Sequence, residues 1–198
     1  MSDELGKAIQ DMGVHTPYRV IGNAVNTKRF KPLPVKAKKP FRFLHISTLQ
    51  NSTKNITGLL HSFKAAADLD PDIRLAIGGD GDILWLREEI TRAGIDPQKV
   101  EILPEMQPAE VAREMQKSDG FVLFSNVENQ PVVLLEALCC GLPVIATRVG
   151  AIPQIIDESN GLLVAPKDEM ALKKAFLKLA AAFGWNKERI VQKAHALY

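Results

Sequence analysis

From Phe41 onward the apolar positions alternate between two rhythms. Short continuous runs fall at FRFLHIS (41–47), IRLAIGG (73–79), VEIL (100–103), GFVLFS (120–125), PVIAT (143–147) and GLLVA (161–165). Their length and β-branched content suit buried strands. Between them, apolar residues recur at helical spacing over roughly 56–69, 82–93, 108–117, 131–140 and 168–182. Apolar strands separated by helices predict a parallel sheet covered on both faces. With right-handed crossovers this is an α/β fold, a doubly wound Rossmann-like sheet of about six strands.

The first forty residues read differently. SDELGKAIQDMG predicts one helix, with Ser2 as its cap and Gly13 as its stop. The following stretch carries Pro32, Pro34 and Pro40 with Lys36, Lys38 and Lys39. It predicts an extended linker with at most a short strand at Tyr18–Ile21, and the lysines read as a solvated face. Past Gly184 and Trp185, NKERIVQKAHAL predicts a last helix. The expected organisation is therefore residues 1–40 as an entering segment, 41–183 as the α/β domain and 184–198 as a terminal helix.

Composition narrows the class. Of 198 residues, 46% are apolar and 24% charged, which argues against a disordered, collagen-like or membrane-embedded chain. No run approaches the ~20 apolar residues of a membrane span. The N-terminus lacks the apolar stretch of a secretory signal. A net charge of +2 gives no ground for a nucleic-acid partner. The two cysteines, Cys139 and Cys140, are adjacent, so a disulfide framework is excluded and a cytoplasmic location is expected.

In such a sheet ligands bind beyond the carboxyl ends of the strands, so the loops there are the places to search. After the first strand, Ser47 to Asn55 offers hydroxyls, amides and Lys54, suited to an anion but equally to an ordinary polar loop. After the second, Gly78-Gly79-Asp80-Gly81-Asp82 fails as a dinucleotide fingerprint because position 84 is Leu. It reads as a tight turn with Asp82 capping the next helix; Asp80 and Asp82 lack an evident third ligand for a metal. After the fourth, Glu128-Asn129-Gln130-Pro131 leads into VVLLEALCCG, with proline suited to the first helical turn and nearby amides suited to an anion. Glu136 is a charge inside that apolar run and needs a partner or a ligand; sugar or ribose hydroxyls would serve. Spacing alone leaves open a helix-start glutamate and a salt-bridged one. Glycine and proline at 141–143 and 150–153 read mainly as scaffold.

ENQPVVLLEALCCGLPVIATRVGAIPQII resembles the signature of retaining glycosyltransferases of family 4, with Glu128 and Glu136 matching the E-x7-E motif. VIGNAVNTKRFKP, LAIGGDGD, SDGFVLFS and NGLLVAPKDEMAL also have counterparts in the same order, so the resemblance covers nearly the whole chain. It implies the C-terminal, donor-binding half of a GT-B enzyme, with the acceptor domain lying outside this sequence and the isolated domain inactive alone. Its substrate would be a nucleotide-diphosphate sugar of UDP or GDP type, with no cofactor and no metal. The acceptor, a glycan or lipid-linked glycan, would be held through the N-terminal domain, in polysaccharide or glycoconjugate synthesis. Membrane contact at the inner face would belong to the full-length protein.

Carried over position by position, the resemblance implies that Glu136 binds the ribose hydroxyls, Glu128 faces the transferred sugar and Lys54 neutralises the diphosphate. Asn129, Gln130, Val132 and Val133 would offer backbone amides, and Pro104 and Glu105 would line the base. Thr48 stands where the family usually has arginine, and fewer glycines follow Glu128. Two other functions remain as alternatives: a non-catalytic module binding sugar nucleotides or a partner, and, disfavoured by the missing fingerprint, a dinucleotide oxidoreductase.

Overall fold

Alternate residues of each central strand face opposite helical layers, and this is what makes continuous apolar runs necessary. In the computed structural model, which describes residues 3–17, 19, 22–33, 40–181 and 185–196, the strands are β1 (Phe41–Ser47), β2 (Ile73–Gly79), β3 (Val100–Leu103), β4 (Gly120–Leu123), β5 (Val144–Thr147) and β6 (Gly161–Val164). All pair in parallel, in the order β3-β2-β1-β4-β5-β6. The expected six-stranded doubly wound sheet is present.

One layer contains α3 (Ile56–Ala67), α4 (Ile83–Arg92) and α8 (Glu169–Ala181), which bury Phe43, Ile77, Val122 and Ile145 from the sheet. The other contains α5 (Pro108–Lys117), α6 (Val132–Cys139) and α9 (Lys187–His195), over Leu44, Phe121, Leu123 and Ala146. Phe176 of α8 sits edge-on to Phe43, with ring centroids 4.8 Å apart, and 5.8 Å from Phe63 of α3. Such contacts add to area burial. α1 (Asp3–Asp11) matches the expected first helix, whereas its Ser2 cap, the expected Tyr18–Ile21 strand apart from Arg19, and the lysine cluster lie outside the described residues.

Local chemistry sets several boundaries. Asp82 caps α4, its side chain accepting from the amides of Leu84 and Trp85 at 2.8 and 3.0 Å. Pro131 is the cap residue itself, and α6 begins at Val132. β4 ends at Leu123, two residues before the end of the apolar run. Two single-turn helices, α2 (Asn51–Lys54) and α7 (Ile152–Ile155), occupy stretches that read as loops because neither is long enough to show a helical repeat. The segment read as linker is in part docked: Phe30 is 3% exposed, and the Gln116 side-chain amide donates to the carbonyl of Lys31 at 3.0 Å.

Phe176→Ala is expected to cost about 3–5 kcal/mol, the range for emptying a fully buried aromatic position. Urea denaturation should show a lower midpoint with an unchanged slope.

Candidate functional site

The strand order reverses between β1 and β4: successive crossovers lead outward from β1 on one side and from β4 on the other. Loops at the carboxyl ends of these two strands therefore diverge and leave a crevice. The first loop runs through Thr48 and Leu49 (φ 54) into α2. The second runs from Phe124 to Pro131 into α6. They are joined through Asn126, whose amide donates to the Thr53 carbonyl at 2.7 Å and whose side chain donates to the Ser52 carbonyl at 3.0 Å.

This junction presses Lys54 against Glu128. Lys54 Nζ lies 2.5 Å from Glu128 Oε1, with the side chains 17% and 8% exposed. The Ser125 hydroxyl donates to the same oxygen at 2.7 Å. Lys54 is thus neither a solvated lysine nor an unengaged cation awaiting an anion. A pair this far from water is held by its geometry, since removing one partner strands the other charge.

The loop carrying Glu128 is clamped from its far side. Gly150 adopts φ 52, and a Cβ there would lie 2.1 Å from the Glu128 carbonyl oxygen. No side chain fits that approach. Ala151 N donates to the Asn129 carbonyl at 2.9 Å, and the Asn23 side chain donates to the Gln130 carbonyl at 2.9 Å. Among the described residues, Asn126 Oδ1 and Gln130 Oε1 are buried acceptors without a hydrogen-bond partner. The amides of Val132 and Val133 lie in the first turn of α6, where backbone donors have no partner within the helix.

Glu136 sits on α6, half-buried. Desolvation raises its carboxyl pKa, and the Arg29 charge opposes this. Among the described residues its carboxylate makes no hydrogen bond or close ion pair. Arg29 comes from the docked segment, which makes residues before Phe41 part of the site's surroundings.

A pocket of about 190 Å³ opens beside the crevice, over the ends of β1, β2 and β3. Thr48 and Glu105 line it, together with Met106, Gly79 and Asp80; Pro104 lies exposed next to it and is not a lining residue. Gly79 and Asp80 were legible only as a turn. Gly79 is required there by contact as well, because a Cβ would fall 1.8 Å from the Ser47 carbonyl oxygen. Asp82 caps α4 through Oδ1. Among the described residues, no three His, Cys, Asp or Glu side chains converge as a metal site. Nor, among them, is any helix long and apolar enough to cross a membrane.

Under the crevice floor, His45 is fully buried. Its Nδ1 meets the Val122 carbonyl at 2.9 Å and its Nε2 meets Ser47 Oγ at 2.8 Å, while that oxygen accepts from Leu49 N at 3.1 Å. A neutral ring donating from Nδ1 and accepting at Nε2 satisfies all three contacts. Desolvation pushes its pKa down to about 4, with Lys54 adding to the effect. The sequence shows His45 only as one polar residue in an apolar run.

The profile of the family described as glycosyl transferases group 1 matches residues 40–182. The phosphatidylinositol N-acetylglucosaminyltransferase gpi3 subunit of Schizosaccharomyces pombe is 28% identical over 150 residues, which is 76% of this chain and 33% of that protein. The chain thus spans about a third of the length of the curated relatives it matches. Sucrose-phosphate synthase from Thermosynechococcus elongatus superposes with a TM-score of 0.83 at 21% identity, over 100% of this chain and 53% of that one. The C-terminal domain of a glycosyl transferase group 1 family protein from Francisella tularensis superposes with a TM-score of 0.72 at 21% identity, over 88% of this chain and 96% of that one. These structural likenesses concern the fold.

His45 ties the crevice to pH. Its folded pKa of about 4 lies below the ordinary histidine value of 6.5. As pH falls below 6.5 the unfolded state takes up the proton first, so the stability present above that pH is lost progressively toward 4. The slope from this group is up to ~1.4 kcal/mol per pH unit. His45→Gln should flatten that slope, as read from urea midpoints at pH 7 and pH 5.

Proposed function

The chain belongs to the glycosyl transferases group 1 family, and on that premise we propose that it is the donor-binding half of a retaining enzyme that moves a sugar from a nucleotide-diphosphate sugar to an acceptor hydroxyl. The observation that carries this reading is the Lys54–Glu128 pair at the strand-order reversal, one helical stretch from Glu136, whose carboxylate has no partner among the described residues. Glu136 accepts from the ribose hydroxyls, a role suited to a half-buried carboxylate without an internal donor. Lys54 and the first amides of α6, Val132 and Val133, meet the diphosphate. Glu128 faces the transferred sugar, beside Asn129 and Gln130. The pocket lined by Thr48 and Glu105 takes the base.

In this mechanism the glycosidic bond breaks with charge developing on the departing diphosphate, and Lys54 stabilises that charge where water is scarce. The leaving phosphate accepts the proton of the acceptor hydroxyl, and the acceptor oxygen bonds to the anomeric carbon on the face from which phosphate leaves, so configuration is retained. The positive charge for this step comes from Lys54 and the helix terminus, with no resident metal or organic cofactor. The acceptor, a glycan or lipid-linked glycan of polysaccharide or glycoconjugate synthesis, is held by a further domain, and transfer takes place in the cytoplasm, with any contact at the inner face of the membrane belonging to the full-length protein. Thr48 in the pocket, in place of the arginine typical of the resembled family, favours one other reading, a sugar-nucleotide-binding module without transfer; absence of sugar release from any bound donor would select it.

Calorimetric titration with UDP, GDP and ADP, with and without magnesium, is expected to show saturable, metal-independent binding of one nucleoside diphosphate. No binding at millimolar concentration would overturn the assignment. Glu136→Ala should weaken that binding by at least ~1 kcal/mol, or about fivefold. Unchanged affinity would remove Glu136 from the ribose site.

A further inference from the structure

Glu128 presents its two carboxylate oxygens unequally. Oε1 receives both internal donors, Lys54 Nζ at 2.5 Å and the Ser125 hydroxyl at 2.7 Å. Among the described residues Oε2 receives none. The side chain is 8% exposed, and Oε2 keeps a little contact with solvent. A carboxylate oxygen without an internal donor can accept one from a ligand, and the hydroxyls of a sugar are donors of that kind.

Ser125 is placed to maintain this asymmetry. It is fully buried at the end of β4's apolar run, and its carbonyl accepts from Thr147 Oγ1 at 2.7 Å. Thr147 is itself fully buried at the end of β5. The hydroxyl therefore projects from backbone tied to the neighbouring strand, whereas Lys54 reaches Glu128 through a flexible four-carbon stem from α2.

Building on the donor-site reading above, we propose that Ser125 is a positioning residue for Glu128, holding Oε1 so that Oε2 stays directed at the transferred sugar when Lys54 turns to the diphosphate. Lys54 has three N–H donors, so the diphosphate either shares it with Glu128 or draws it away. In the second case Ser125 alone fixes the carboxylate. The serine thus serves recognition of the sugar while leaving the nucleotide's own contacts untouched.

The test compares, by calorimetry on this chain, the affinity for UDP and GDP with that for UDP-glucose, UDP-N-acetylglucosamine and GDP-mannose. The gain in affinity that the best sugar adds to its nucleotide is the quantity read. Ser125→Ala is expected to leave the nucleoside diphosphate within about twofold, which also shows that the variant is folded, and to reduce the sugar's gain by about fivefold or more. On a Glu128→Gln background, Ser125→Ala should add little further loss, because coupled residues are non-additive. Retention of the sugar's gain in Ser125→Ala, equal losses for nucleotide and sugar nucleotide, or full additivity with Glu128→Gln would each overturn the role of Ser125 while leaving the donor site standing. So would a wild-type chain that gains nothing from any of the three sugars. A wild-type chain that binds no nucleotide would overturn the donor-site reading and this inference together.

Discussion

Everything at the proposed site follows from one topological constraint, the reversal of strand order between β1 and β4. Parallel strands require crossovers, the crossovers keep one hand, and a sheet built outward in two directions must part its loops where the directions meet. The two loops that part here do not drift. Asn126 fastens one to the other, and the Lys54–Glu128 pair closes the contact where both side chains are largely withdrawn from water. The crevice is consequently bounded by two loops fastened to each other, with the Lys54–Glu128 pair between them.

Polar groups beneath that gap are satisfied nearly throughout, and this gives it a definite shape. The neutral ring of His45 links the Val122 carbonyl to the Ser47 hydroxyl, which in turn holds the amide of Leu49 at positive φ. Ser125 and Thr147 do the same between β4 and β5. Two of the three exceptions among the described residues, Asn126 Oδ1 and Gln130 Oε1, lie in the loop that leads to α6, the third being Trp185 Nε1. Buried polar atoms are otherwise paired in folded proteins, so these two acceptors set the loop apart from the polar groups around it. Gly150 has the complementary role, bringing backbone so near Glu128 that no side chain could intervene.

The legible features share a physical scale. Asp82 as a helix cap was readable because its partners, Leu84 and Trp85, are within three residues. The strands were readable because burial on two faces demands unbroken apolar runs, and α3, α5 and α8 because their repeats exceed two turns. α2 was not, since NSTK has no repeat and is helical only in its tertiary setting. The docked segment was not, because prolines and lysines mark its composition while its anchoring among the described residues rests on Phe30 and Val25.

By itself, then, the sequence determined the α/β class, the approximate bounds of the strands, the Asp82 cap, and the candidate carboxylates and lysine that the motif resemblance picks out. Only the tertiary structure decided that Lys54 closes on Glu128, 74 residues away, that Arg29 approaches Glu136, and that Gly79 and Asp80 line a pocket with Thr48 and Glu105. The reason is one of range. Periods of 2 and 3.6 residues and capping bonds are written in neighbours along the chain. Contacts across a crevice depend on which strands lie side by side, and that order is settled by packing two helical layers against the sheet.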